Sequence, residues 1–94
     1  MPYNIIISEA AKNEIIDALF WYKKQEKKLS GQLGNSITTA VKSIKTNPLK
    51  TQIKYTNTRI HFLNKFPYGI HYTISNFNII IIAFYHTSRN INKL

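Results

Sequence analysis

Both arginines of this 94-residue chain, Arg59 and Arg89, and all three histidines, His61, His71 and His86, lie in one stretch, RIHFLNKFPYGIHYTISNFNIIIIAFYHTSRN, running from 59 to 90. Arginine offers a planar, permanently charged fork that fits phosphate or carboxylate, and histidine gains and loses a proton near neutral pH. A stretch that holds both can bind an anion and move a proton. Whatever chemistry the chain performs is therefore expected here. There is no cysteine, which excludes a thiolate nucleophile, a thiolate metal site and a disulfide framework. Neither a metal nor a small-molecule cofactor is expected.

The charge of the chain points the same way. Net charge is +9, yet all four acids (Glu9, Glu14, Asp17 and Glu26) fall in the first 26 residues. From Lys27 to the end there are ten basic residues and no acid. An AT-rich coding sequence would inflate lysine, asparagine and isoleucine, but it would encode aspartate and glutamate just as easily. The missing acids are better explained by a surface that meets an anion, either nucleic acid or an acidic protein segment.

The elements that must position these residues follow from periodicity. Tyr68, Ile70, Tyr72 and Ile74 alternate with Gly69, His71 and Thr73, the pattern of a strand with one buried face and one face in water. Ile79 to Phe84 has no alternation and is rich in β-branched residues, as expected for a central strand covered on both sides. Arg59 to Leu63 supplies a further strand before a turn at Asn64 to Pro67, and Ser75 to Asn78 reads as a hairpin.

Upstream, Tyr3 to Ile7 is a short strand, and Ser8 is the expected N-cap of a helix with Glu9 in its first turn. Ala11, Ile15, Ala18, Leu19 and Tyr22 form one apolar stripe, and this helix is expected to end near Lys28. Ser30-Gly31 reads as a tight connection to a second helix carrying Leu33, Ile37, Ala40, Val41 and Ile44, which Asn47-Pro48 stops. Leu49 to Thr58 reads as a loop. Trp21, Tyr22, Tyr68 and Tyr72 fall on apolar phases and are expected in the core, while His61 and His71 are expected on the surface.

The resulting order is β-α-α-β-β-β, a single α+β domain over residues 1–94 in which an antiparallel sheet packs on a helical hairpin as a two-layer sandwich. Counting reversals sets the first strand antiparallel to the last. No stretch approaches the roughly 20 apolar residues of a membrane span, and the N-terminus lacks a signal-peptide pattern, so a cytoplasmic location is expected.

Four segments in this order resemble the RelE/ParE superfamily of bacterial toxins: Ala18-Leu19-Phe20-Trp21-Tyr22, Ile44-Lys45-Thr46-Asn47-Pro48, the Arg59…Leu63…Phe66-Pro67-Tyr68…Tyr72 stretch, and His86-Thr87-Ser88-Arg89-Asn90. The resemblance implies the toxin half of a type II toxin–antitoxin pair, often described as a plasmid stabilisation protein. It also implies a cognate acidic antitoxin and one of two targets. RelE-like members cut messenger RNA in the ribosome, and ParE-like members block DNA gyrase without catalysis.

A metal-independent ribonuclease needs a proton acceptor for the 2′-hydroxyl, a proton donor for the leaving oxygen, and cations around the phosphate. Under that implication Arg59 and Arg89 hold the phosphate, His86 moves the proton, and Tyr85 stacks on a base or shares the transfer. Lys50, Lys54, His61 and His71 would add nucleic-acid contacts. Two features differ from the ribonuclease pattern: no carboxylate follows Glu26, and the tail after Arg89 contains no tyrosine. An inert basic module that only binds an antitoxin or nucleic acid is the alternative from a different class.

Overall fold

The computed structural model describes residues 2–89, which run β1 (Asn4–Ile7), α1 (Glu9–Gln25), α2 (Lys27–Thr46), β2 (Ile53–Tyr55), β3 (Thr58–Phe62), β4 (Tyr68–Ser75) and β5 (Asn78–His86). The helices form a hairpin on one face of a five-stranded sheet ordered β1-β5-β4-β3-β2, the expected α+β two-layer sandwich. Asn90, the last residue of the closing sequence motif, lies outside the described residues.

Local chemistry sets most of the boundaries. Ser8 Oγ accepts the Ala11 N–H at 3.1 Å and donates to the Ile82 carbonyl at 3.3 Å, so one hydroxyl caps α1 and ties it to the sheet. Asn47 ends α2, its N–H donating to the Ser43 carbonyl at 3.1 Å, and Pro48 follows. The break between the helices lies at Glu26, in extended conformation, not at Ser30-Gly31. Lys27, Lys28, Ser30 and Gly31 therefore belong to α2. The apolar period of α2 runs back through Leu29, four residues before Leu33, and Ser30 Oγ donates to the Leu19 carbonyl at 2.9 Å, fastening this turn against α1.

The stretch expected to be a loop contains β2. Thr56 and Asn57 have φ of 33° and 57°, the paired left-handed residues of a type I′ hairpin turn, and return the chain into β3. This added strand is one more reversal, and it changes the direction of everything after it. β1 consequently runs parallel to β5, with Ile5 opposite Ile79 and Ile7 opposite Ile81, so the sheet is mixed. β5 is interior, between β1 and β4.

The lack of alternation in β5 has two sources. A bulge places Ile70 opposite Phe84 but Tyr72 opposite Ile81, leaving Ile82 over, so Ile79, Ile81 and Phe84 all turn toward the helices. On the other face Ile80 and Ile82 are only half-buried, because no helix covers them. The core under the helices joins Leu33, Ile37, Ile44, Ile70 and Tyr72 to these residues. Tyr22 and Tyr68 pack at its margin as expected, whereas Trp21 is 54% exposed. Among the described residues no helix is long and apolar enough to cross a membrane.

Candidate functional site

The sheet register decides which side chains can meet, because directly paired residues share a face. Arg59 lies opposite Tyr72, His61 opposite Ile70 and His86 opposite Tyr68, all on the helix side. His71 lies opposite Ile60 and Ala83, and Tyr85 opposite Gly69, on the uncovered side. The residues expected to form one catalytic group thus divide between two faces. Arg59 and His86 share a face but not a location. Tyr72 and Tyr68, their partners on β4, are four residues apart, about 13 Å along a strand.

Arg59 is also occupied, since its Nη1 donates to the Thr51 carbonyl. The exposed His86 ring accepts the Ser88 N–H on Nδ1 at 3.1 Å, with Ser88 Oγ at 2.8 Å. That bond leaves Nε2 as the ring nitrogen facing outward.

On the uncovered face the structure assembles a different group. Tyr55 Oη lies 2.8 Å from His71 Nδ1, the rings of His71 and Tyr85 are 4.9 Å apart, and the Arg89 guanidinium sits 3.9 Å above the Tyr85 ring. His71, expected at the surface, is 3% exposed, because Tyr55 from β2 and Tyr85 from β5 close over it. Burial, and then the Arg89 charge, push the His71 pKa below the ordinary histidine value. Burial, and then Tyr85, push the Tyr55 hydroxyl up. Tyr55 therefore keeps its proton, and its hydroxyl shares one hydrogen bond with His71 Nδ1.

Gly69 is required beneath this group, since a Cβ there would approach Ile60 Cγ2 to 2.8 Å and the Phe62 ring to 3.3 Å. At the uncovered positions β3, β4 and β5 carry Ile60, Phe62, Thr73, Ile80 and Ala83 beside His71 and Tyr85, and no lysine or arginine. Lys50 and Lys54 are exposed on the segment leading through β2. His61 instead lines a groove of about 480 Å³ between α2 and β3 with Ser36, Thr39, Phe62 and Lys65, and its pKa is lowered by burial and then by Lys50.

One residue outside the expected site holds this end of β5. Glu14 Oε1 accepts the Phe84 N–H at 3.0 Å, and Glu14 Oε2 is 3.8 Å from Arg89. β1 stops at Ile7, so the Glu14 carboxylate occupies the place where a longer strand would pair. A signal for Glu14 existed, because it falls between Ala11 and Ala18 on the buried stripe of α1. Tyr55 carried a weaker one, in its alternation with Ile53 before Thr56-Asn57. Glu14→Ala is expected to cost about 1–3 kcal/mol by stranding the Phe84 N–H. Glu14→Gln, which keeps an acceptor, should recover most of that loss in urea denaturation.

A family model for the ParE toxin of the type II toxin–antitoxin system parDE matches residues 5–91. The chain belongs to the ParE toxin family. Among solved structures it is similar to a chain of the chromosomal ParDE toxin–antitoxin system from P. aeruginosa, with a TM-score of 0.79 at 11% identity, covering 89% of this chain and 95% of that one. At that identity the likeness bears on the fold, including the helical hairpin and the sheet beneath it. No curated protein sequence matches the chain at a significant level. Membership in the ParE family makes this chain a toxin component of a type II system, for which an antitoxin is the implied partner.

Proposed function

We propose that this ParE-family toxin arrests growth in the cytoplasm by binding DNA gyrase, and that an acidic antitoxin restrains it. The observation carrying this reading is the spread of the candidate catalytic residues: Arg59 and His86 share the helix side but lie about 13 Å apart along the strands, and the Tyr85 position belongs to the other face. Cutting RNA through its own 2′-hydroxyl needs cations and proton carriers within hydrogen-bond reach of one phosphate. The bond from Arg59 to Thr51 and the absence of lysine and arginine from the uncovered positions of β3, β4 and β5 add to the same reading. A protein inhibitor requires none of these groups; it needs a stable surface that fits its target.

The decisive experiment adds the purified chain to gyrase and relaxed plasmid, and in parallel maps messenger RNA ends after brief induction. Loss of supercoiling activity with intact messages is expected, and His86→Ala and Arg59→Ala should leave the inhibition within about twofold as long as they fold. New 5′ ends inside codons that vanish in His86→Ala would replace this reading with ribosome-dependent cleavage. No effect on either process would leave the inert binding module.

A further inference from the structure

Between α2 and β3 the fold leaves a groove of about 480 Å³, within the size range of small-molecule sites. Its α2 wall is a row of amides and hydroxyls, Gln32, Asn35, Ser36, Thr39 and Ser43, whose spacing stacks them along one side of the helix. This row runs beside the buried one of Leu33, Ile37, Ala40 and Ile44. The opposite wall comes from the end of β3 and the turn after it, and carries half-buried His61, then Asn64 and Lys65. Among the described residues no carboxylate lines the groove.

The hydroxyls of this row are not spent on the helix itself. Thr38 and Thr46, outside the groove, turn theirs back to the Gly34 and Lys42 carbonyls at 3.0 and 2.9 Å. Among the described residues Ser36, Thr39 and Ser43 make no such bond, so all three can serve whatever enters the groove. The other wall specifies an anion. Lys65 brings an ammonium group, and Lys50 lies near enough to His61 to act on it. Burial, and then the Lys50 charge, push the His61 pKa down, and an anion beside the ring would draw a proton back onto it. A carboxylate would bring one charge, whereas a phosphate monoester brings up to two and three acceptor oxygens. A polynucleotide backbone is held by exposed lysines and has no need of the amide and hydroxyl row. A ligand with several hydroxyls uses that row as well.

We propose that the groove between α2 and β3 binds a small phosphate monoester of a polyol, with the phosphate at His61 and Lys65 and the ligand hydroxyls along Ser36, Thr39 and Ser43. Sugar phosphates and nucleoside monophosphates share this chemistry. The site goes beyond the toxin reading and does not depend on gyrase as the target.

The test titrates the full chain with ribose 5-phosphate and, separately, with AMP, inorganic phosphate and ribose, following backbone amide and histidine ring signals by NMR. Saturable shifts are expected along the α2 row and at His61 and Lys65, with both esters binding about tenfold or more tighter than ribose or inorganic phosphate. The midpoint of the His61 titration should rise when an ester is bound. His61→Gln and Lys65→Gln should each weaken the esters by about tenfold. Thr39→Val keeps the branched shape and removes the hydroxyl, so it should weaken the esters by about fivefold and leave inorganic phosphate unchanged. Lys23→Gln makes an equal change of charge on α1 and should alter no affinity. Urea midpoints check that each variant is folded. Equal affinity for inorganic phosphate and the esters, or an equal loss in Lys23→Gln, would show that net charge and not the groove holds the anion, and would overturn the proposal. So would esters that fail to saturate at millimolar concentration, or a 5′-phosphorylated oligonucleotide that binds tighter than both with shifts running beyond the groove. AMP binding tighter than ribose 5-phosphate would uphold the site with a nucleotide as its ligand, and the reverse order would uphold it with a sugar phosphate.

Discussion

Replacing Tyr72 with alanine is expected to cost about 3–5 kcal/mol, a large part of the stability of a domain this size. The ring is fully buried among Leu33, Ile44, Ile70 and Ile81, so truncation leaves a cavity that the helices cannot close. The hydroxyl has a separate role. It donates to the Pro48 carbonyl at 2.8 Å and lies 3.1 Å from Thr51 Oγ1, while Arg59, on the same face, donates to the Thr51 carbonyl. Tyr72 and Arg59 thus fasten the segment between α2 and β2 to the sheet. Tyr72→Phe keeps the ring and strands the Pro48 carbonyl, with an expected cost of about 1–3 kcal/mol. Urea denaturation of the two variants separates the terms. A loss in Tyr72→Phe equal to that in Tyr72→Ala would mean that the hydroxyl, not the ring, carries the site.

The same side chains show what a sequence of this kind discloses. Ser8, Asn47-Pro48 and the turn at Asn76 are set by chemistry within a few residues, and their positions were legible. The helix break was not, because Glu26 is neither glycine nor proline and the apolar period of α2 begins beyond it at Leu29. β2 was hidden because it is three residues long with Lys54 at its centre, a charge at home on a short edge strand that faces water. Missing one strand reversed the direction assigned to β1, so a local omission became an error of topology.

The candidate site was legible as a region and not as a constellation. Tyr85 and Arg89 are four residues apart and meet as a stacked pair, and the sheet brings His71 against Tyr85. Which of them face one another depends on the β4–β5 bulge and on cross-strand register. Those relations set Arg59 apart from His86 and Tyr85, and they bury His71 beneath two tyrosines drawn from other strands. Periodicity assigned His71 to the water side of β4 correctly; it carries no record of what else lies on that side.

That burial gives the chain an expected pH response. An unfolded histidine titrates near pH 6.5. In the folded chain His71 is lowered by burial and by Arg89, and His61 by burial and by Lys50. Below about pH 6.5 the unfolded state therefore binds more protons than the folded one, and stability falls as the pH drops. The slope is bounded by about 1.4 kcal/mol per pH unit for each histidine, and it flattens once the folded-state groups protonate as well. His71 should dominate, because it is almost fully buried and its Nδ1 hydrogen-bonds Tyr55 Oη of β2. Once the ring is protonated, Nδ1–H must donate to Tyr55 Oη, and the Tyr55 proton has to find another partner. Urea midpoints measured between about pH 8 and pH 5 are expected to decline in the wild type and to decline less in His71→Gln, whose amide oxygen can still accept from Tyr55. Lys50→Gln should relieve only the part of the His61 shift that comes from the Lys50 charge. An unchanged pH slope in His71→Gln would show that His71 titrates alike in the folded and the unfolded chain.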